Sequence, residues 1–469
     1  MGAGKTTLGL EVAERLGRPF LDLDHELERQ ARATIPELFA QRGEAEFRVL
    51  EAQASVEILR SRQPAVLALG GGAITTEPVR RALADHALSV LIEVEPDAAW
   101  ERVLGSGRPL AGDAGEFRAL YDRRRPLYEQ AAQARARDSD GVVLAAGGVH
   151  LEAASLELLG NLVPGTGRVA LVADSRVAGI HGAAAQLALG RRLASTHELP
   201  AGEEAKTAAV CERLWRAFDL ERGETVVALG GGCTTDVAGF AAATFLRGID
   251  WVAVPTTLVG QVDAALGGKT AIDLPGGKNL VGAFHWPVRT VIDPVLLETL
   301  PGRERAAGLA EVVKTGLLAG RPLWELPEPE LVRACAAFKT ALCLRDPHDR
   351  GPRGALNLGH TFAHALEAAA GYSGLSHGEA VALGLLAATR LSTKHLGLDP
   401  KVPAQVEELL GPRPAAVDRE AAWRSLRRDK KSEGGGPRLV LLEAPGRPVL
   451  GVALPDREVR HALDELIAG

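Results

Sequence analysis

Over the first 160 residues, short apolar runs alternate with amphipathic stretches. PAVLAL (64–69) and LSVLIEVE (88–95) are continuous apolar runs of strand length. TLGLEVAERLG and VRRALADHAL instead repeat their apolar residues at helical spacing. Strand and helix in alternation predict a parallel α/β sheet. GNLVPGTG (160–167) interrupts the pattern with Gly and Pro. A first domain is therefore expected over 1–160 and a linker over 161–167. RVALVADS (168–175), TVVALGGG (225–232) and WVAVP (251–255) restart the strand pattern, which predicts a second α/β domain over 168–295. Beyond it, ERAAGLAEVVKTGLLAG, ELVRACAAFKTALCL, GHTFAHALEAAAG and GEAVALGLLAATRLSTKHLG all carry helical periodicity. Residues 296–469 are expected to be helical, with PRLVLLEAP (437–445) as a late strand.

Composition narrows the function classes. A chain of 469 residues suits about three domains. Its 46% hydrophobic and 24% charged residues are those of a soluble globular protein. The net charge of −6 comes without a long single-sign block, so neither nucleic acid nor a membrane surface is expected as partner. No apolar run reaches the roughly 18 residues of a membrane span, and MGAGKTT is not a signal peptide. Cys211, Cys233, Cys335 and Cys343 form no C-x-x-C pair and are expected to be reduced thiols in a cytoplasmic chain.

Three groups of residues carry candidate chemistry. The first is GAGKTT at 2–7, the end of a G-x-x-x-x-G-K-[ST] phosphate loop. In such a loop backbone amides wrap phosphates, the Lys reaches the outer ones and the hydroxyl holds magnesium. Gly2, Gly4, Lys5 and Thr6 fill its last positions. The first glycine and the strand feeding it would precede Met1, and the natural start is expected upstream. Downstream come FLDLD (20–24), GEAEFRVLE (43–51), Gly70-Gly71-Gly72, GSGRPLAGD (105–113) and RRRPLY (123–128). Their carboxylates and guanidiniums suit a phosphate donor and a small acidic acceptor.

The second group begins at Gly230-Gly231-Gly232, a strand-to-helix turn that lets a dinucleotide approach the backbone, with Asp236 following. PTTLVGQVDAALGGKTAIDLPGGKNLVGAF (255–284) adds Thr256, Thr257, Asp263, Lys269, Lys278 and Asn279. Its glycine-flanked lysines are expected in loops that meet a phosphorylated or acidic substrate. The third group is helical. Glu311 and Lys314 lie three apart, His360 and His364 four apart, and His377 opens a further helix. One carboxylate and three histidines imply zinc or a similar metal, and spacing alone makes His360 and His364 a ligand pair.

Residues 1 to about 155 resemble shikimate kinase, on GAGKTT, LDLD, GEAEFR, LGGGAIT, RPLAG and RRRPLY. The resemblance implies ATP with Mg2+ held by Gly2, Gly4, Lys5 and Thr6, with Asp22 near the metal. It implies shikimate on Asp24, Arg48, Gly70, Gly71, Gly72 and Arg124, and Arg108 in a lid over ATP. Residues 168–469 resemble 3-dehydroquinate synthase, on GGG with Asp236, AAATFLRGI, PTTL, QVDAALGGKT, GKNLVGAFH, TLPGRE, GLAEVVK, LNLGHTFAHALE and HGEAVALG. That family implies a Rossmann-like NAD domain followed by a helical metal domain, and a homodimer through this part. Its zinc (or Co2+) ligands would be Glu311, His360 and His377, with His364 moved from ligand to acid/base residue. Lys269, Lys314 and Asp349 would complete the catalytic set. NAD would lie on Asp174, Glu203, Lys206, Gly231, Gly232, Asp236, Thr256, Thr257 and Lys278. Arg247, Asp263, Asn279, Lys339, Arg353, Asn357 and Lys430 would hold the substrate, 3-deoxy-arabino-heptulosonate 7-phosphate. Asp349 stands where the family often has Glu, Thr235 where it has Gly, Ala264-Ala265-Leu266 where it has Ser-Ser-Val, and Thr315 where it has Tyr. The expectation is a bifunctional shikimate-pathway enzyme. Its rivals are a synthase with an inactive kinase-like front, another sugar-phosphate cyclase, or a metal-dependent alcohol dehydrogenase.

Overall fold

A computed structural model of the chain describes residues 2–61, 63–104, 113–372, 374–428 and 437–468. Arg108 and Lys430, both expected at binding sites, lie outside the described residues. The chain forms two compact units, 1–147 and 148–469.

In the first unit, α1 (Lys5–Leu16) starts directly behind the glycine turn, with Gly4 in the left-handed region at φ +76°. Strands β1 (Phe20–Asp22) and β2 (Val66–Ala68) pair in parallel, as do β3 (Val90–Ile92) and β4 (Ala134–Ala136). The expected parallel sheet is thus present as two separate pairs, and apart from Ala68 and Ala136 their residues are not fully buried. Helix α2 (Leu23–Ala31) follows β1 directly. Helix α3 (Ile35–Arg60) is started by a capping box between Thr34 and Glu37 and breaks at Gly43, at φ +73°. Helix α4 (Ala114–Ala131) carries Arg124 and Tyr128.

The second unit is built on a six-stranded parallel sheet in the order β5-β12-β9-β8-β6-β7. Its strands are β5 (Val149–Leu151), β6 (Val169–Asp174), β7 (Leu193–Leu199), β8 (Thr225–Gly230), β9 (Asp250–Pro255) and β12 (Arg289–Ile292). Every residue of β6 and β8 is buried, because apolar side chains cover both faces. Ala170 and Val172 belong to one core, Val169 and Leu171 to the other. From β6 the chain runs outward to β7 and returns to β8 on the opposite side. The carboxyl ends of β6 and β8 therefore form a topological switch point, where open α/β sheets bind ligands.

Two boundaries differ from the sequence expectation. The linker over 161–167 and the end of the first domain at 160 both fall inside the second unit. β5 pairs with β12, while Leu156, Leu159 and Val163 join the core behind β6. The Arg192 guanidinium donates to the carbonyls of Gly160, Val163, Pro164 and Gly167, which fixes a Gly- and Pro-rich stretch that looks free in sequence. The glycine-flanked lysines also sit in strands rather than loops. β10 (Lys269–Leu274) and β11 (Gly277–Phe284) form an antiparallel hairpin around Pro275-Gly276, with Lys269 opening one strand and Lys278 in the other.

Helix α5 (Gly232–Thr244) follows β8, and four helices further along the chain carry candidate site residues. They are α6 (Gly302–Ala319), α7 (Glu328–Arg345), α8 (His360–Ala369) and α9 (His377–Leu396). Ser376 and Glu379 cap α9 in a capping box, so the helix begins at His377. The late strand is present as a hairpin, β13 (Arg438–Ala444) with β14 (Arg447–Ala453), packed on the same core as α8 and α9.

Helices α8 and α9 cross at glycines. A Cβ on Gly384 would collide with the Gly359 carbonyl, and one on Gly359 would sit 2.7 Å from the Leu385 nitrogen. Gly359 is left-handed, at φ +78°, immediately before His360. We expect Gly384→Ala to destabilise the protein by about 1–3 kcal/mol through overpacking. Gly302→Ala, with nothing within 4 Å of its would-be Cβ, serves as the control in urea denaturation. Equal midpoints for the two variants would show that this crossing is not tight.

Candidate active sites

In the second unit, the carboxyl ends of β6 and β8 present Asp174 and Gly230 side by side. Asp174 accepts from the amides of Arg176 and Val177, each at 3.1 Å, and from the Thr234 hydroxyl at 3.1 Å. Gly231 and Gly232 start α5, whose first amides have no side-chain cap. A Cβ on Gly231 would come within 3.0 Å of Thr257, and one on Gly232 within 3.0 Å of Ala264. Bare amides on a helix N-terminus without side chains in the way fit a pyrophosphate. The Thr256 amide donates to the Gly230 carbonyl, and the Thr257 hydroxyl accepts from the Gly260 amide. Nearby, Lys206 donates to Asp236 at 2.7 Å and also to the Asn279 side chain. Burial works against the Lys206 charge, but Asp236 leads the groups that outweigh it and hold its pKa above the usual range. Asn279, expected on substrate, shares Lys206 with Asp236, two residues expected on NAD. Lys278 pairs with Glu203 at 2.9 Å.

The carboxylate Glu311, on α6, has no exposed surface. Its Oε1 lies 3.1 Å from His377 Nε2 and 3.7 Å from His360 Nε2. Its Oε2 faces Lys314 Nζ at 2.5 Å without hydrogen-bond geometry and has no hydrogen-bond partner. One donor atom each from Glu311, His360 and His377 falls within a 4.8 Å span. This set could hold a divalent ion, because one carboxylate and two imidazoles are donors that zinc-like ions take. His364 is outside the set. Its ring meets that of His360 edge-on at 5.5 Å, so the pair that spacing suggested gives way to His360 with His377. Four residues along one helix put both rings on one face, but His377 reaches the carboxylate from a second helix.

Charges around this group are balanced at close range. Lys314 bridges Glu311 and Asp263, and Lys339 lies 2.9 Å from the other Asp263 oxygen. Burial opposes ionisation of Asp263, but Lys314 and Lys339 more than offset it and keep its pKa low. Burial, reinforced by Lys314, pushes His360 down to about 3, so the ring is neutral and available as a ligand. For His377 burial is outweighed by Glu311 and Glu367, which lift it to about 10. Arg353, 2% exposed, donates to the carbonyls of Gly267 and Pro347. Lys269 pairs with Asp349, a residue at φ +55°, at 2.5 Å. Asn357 ends the turn that precedes α8. Arg247 is not brought to the group. It lies on an exposed turn beyond the C-terminal end of α5, opposite Gly231-Gly232. Sequence reading missed Glu367, a buried carboxylate on α8 that faces both His377 and Lys278. The signal was its position seven residues after His360, on the same helix face.

The first unit has its own cluster. The Thr6 hydroxyl donates to Asp22 at 2.7 Å, so the loop hydroxyl and the strand-end carboxylate expected at magnesium are adjacent. α1 also lacks a side-chain cap, which leaves its first amides for phosphate. Asp24 lies against Gly70 and Arg48 against Gly72, positions where a Cβ would collide with them. Arg124 donates to the Gly71 carbonyl at 3.0 Å, and so does Tyr128. Glu51, also missed, pairs with Arg48 at 2.5 Å, and burial lifts its pKa. It is visible in sequence as the carboxylate three residues after Arg48 on one helix.

Comparison with known proteins decides the family. Residues 1–160 match the family model of shikimate kinase. Residues 196–307 and 308–432 match those of the N-terminal and C-terminal parts of 3-dehydroquinate synthase. The bifunctional shikimate kinase/3-dehydroquinate synthase of Thermotoga maritima is 31% identical, with 95% of each chain covered. The chain belongs to this bifunctional family. The 3-dehydroquinate synthase of Bordetella pertussis is 39% identical over 67% of this chain and 95% of its own. Among solved structures, 2-deoxy-scyllo-inosose synthase, complexed with carbaglucose-6-phosphate, NAD+ and Co2+, superimposes with a TM-score of 0.62 at 25% identity. It covers 68% of this chain and 96% of its own. The 2-epi-5-epi-valiolone synthase of Streptomyces hygroscopicus subsp. jinggangensis, with NAD+ and Zn2+ bound, gives 0.61 at 26% identity with the same coverage. The second unit of this shikimate kinase/dehydroquinate synthase homologue therefore shares the sugar-phosphate cyclase fold. No helix among its described residues is long and apolar enough to cross a membrane.

Lys314 is the cation on which this arrangement leans, with 1% of its side chain exposed. Replacing it with Met leaves the Glu311 and Asp263 carboxylates without their shared partner. Lys314→Met is expected to destabilise the metal-free protein by about 3–5 kcal/mol, the cost of breaking one side of a buried ion pair. Chemical denaturation in chelator checks this. A loss below 1 kcal/mol would mean that Glu311 does not depend on Lys314.

Proposed function

We propose that the second unit converts 3-deoxy-arabino-heptulosonate 7-phosphate to 3-dehydroquinate and phosphate, and that the first transfers phosphate from ATP to shikimate. The observation that carries the synthase reading is the meeting of Glu311, His360 and His377 beside a lysine–aspartate cluster. The curated relatives at 39% identity act as dehydroquinate synthases, which favours this product over those of the cyclases at 25–26%.

Glu311, His360 and His377 would hold a divalent ion such as zinc, which when bound polarises substrate oxygens. Asp174, Gly231, Gly232, Asp236, Thr256, Thr257, Lys206, Glu203 and Lys278 would hold NAD, which when bound would supply reversible hydride transfer. The chain's own residues supply binding and proton movement. Lys269, Lys339 and Arg353 offer positive charge for the substrate's phosphate and carboxylate. Asp263 keeps Lys314 and Lys339 in place while offering its own oxygens to hydroxyls. His364, edge-on to His360, would move a proton beside the metal. Asp349 is shorter than a glutamate and held by Lys269, so it would serve through that pair. In the first unit Lys5 and the amides of Gly2 and Gly4 would take ATP phosphates, and Thr6 and Asp22 would take Mg2+. Asp24, Arg48, Gly70, Gly71, Gly72 and Arg124 would enclose shikimate.

The two activities separate by mutation. His360→Ala is expected to lower phosphate release from the heptulosonate phosphate by about 1,000-fold or more, the worth of several kcal/mol of metal stabilisation. Shikimate phosphorylation stays intact in that variant, whereas Lys5→Met abolishes it and spares phosphate release. During turnover of the unmodified chain, absorbance at 340 nm stays flat. Steady NADH accumulation would establish an alcohol dehydrogenase instead, and a different carbocycle by product analysis another cyclase.

A further inference from the structure

Glu367 is 3% exposed and lies on α8 among the core residues Phe362, Ala363, Ala365 and Leu366. A buried carboxylate there needs partners to offset its desolvation. Two partners among the described residues meet one of its oxygens. Oε1 lies 3.5 Å from His377 Nδ1 and 3.3 Å from Lys278 Nζ. Across the His377 ring, Nε2 points to Glu311 at 3.1 Å. His360 is arranged the same way. Its Nδ1 donates to the Leu358 carbonyl at 3.2 Å, and its Nε2 turns toward Glu311. A carbonyl only accepts, so the His360 proton sits on Nδ1 and its Nε2 lone pair is free. In metal sites the nitrogen that does not bind the ion usually donates to a carbonyl or carboxylate, which fixes tautomer and ring orientation.

We propose that Glu367 is the positioning residue of the metal centre: it holds His377 with Nδ1 protonated and Nε2 aimed at the ion, and with the same oxygen ties Lys278 of β11 to the metal-bearing helices. The proposal rests on the reading that Glu311, His360 and His377 bind a divalent ion. Glu367 does not touch that ion. It acts through His377 on one side and through Lys278, and so Glu203, on the other.

The test uses the full chain with Co2+ or Zn2+ as probe. Competition against a chromophoric chelator is expected to show a roughly 10–100-fold loss of metal affinity in Glu367→Ala, the usual cost of removing such a partner. Glu367→Gln, whose amide oxygen still accepts from Nδ1, recovers part of the loss. The visible Co2+ spectrum shifts in Glu367→Ala, which packing damage elsewhere would not produce. Wild-type affinity with an unchanged Co2+ spectrum in Glu367→Ala overturns the proposal. A measurement on the unmodified chain is independent of variant folding. Nitrogen-15 spectra of the histidine-labelled, Zn2+-loaded protein, assigned against His377→Gln, are expected to show His377 protonated at Nδ1. A proton on Nε2 overturns the proposal. If His360→Ala takes up the metal as tightly as wild type, the metal reading itself falls, whatever Glu367 does.

Discussion

Glu311 carries a carboxylate in a place that water does not reach. An ion so placed is tolerated only where charges and hydrogen bonds surround it. The surroundings come from five elements. α6 supplies Lys314 one turn away, α8 supplies His360, α9 supplies His377, and the segment before β10 supplies Asp263, which shares Lys314 and draws in Lys339 from α7. Remove Lys314, Asp263 or Lys339 and the remaining charges are mismatched in a low-dielectric space. The close crossing of α8 and α9 at Gly359 and Gly384 follows from the same need. Larger side chains there would hold the two imidazoles apart.

The parallel sheet solves a different problem. Its central strands β6 and β8 are buried on both faces, so chemistry can emerge there only at their ends. Reversal of strand order between β6 and β8 opens a crevice at one end, and Asp174, Gly230 and the uncapped start of α5 line it. The β10–β11 hairpin then carries Lys269 and Lys278 in different directions. One reaches Asp349, and the other reaches Glu203 and Glu367. A single pair of strands thus links the residues around Asp349 with those around Glu203 and Glu367.

Much of this was legible in the sequence. Continuous apolar runs marked β6, β8 and β9, and the helical period marked α6 to α9, because burial on two faces or on one face leaves a direct trace in residue order. Family motifs also named Glu311, His360 and His377, where spacing alone favoured His360 with His364. Spacing reports neighbours on one helix and is blind to a ligand arriving from another. The same blindness hid Glu367, whose partners lie on β11 and α9. Gly-Pro content made 161–167 look like a linker, yet one guanidinium, Arg192, satisfies four of the carbonyls around it. Pro275-Gly276 read as part of a lysine-bearing loop because a two-residue turn and a loop share composition. In the first unit the motifs named Arg48, Asp24 and Arg124, which lie against the three glycines, while the carboxylate that pairs with Arg48, Glu51, was passed over.

The central claim is that these charges exist to hold one divalent ion on Glu311, His360 and His377. Anomalous diffraction from crystals of the full chain loaded with Zn2+, measured on either side of the zinc edge, tests it most directly. The account predicts one strong peak in the second unit, about 2.0–2.2 Å from a Glu311 oxygen and from the Nε2 atoms of His360 and His377. A peak ligated by His364 in place of His377, or none at Glu311, would contradict it.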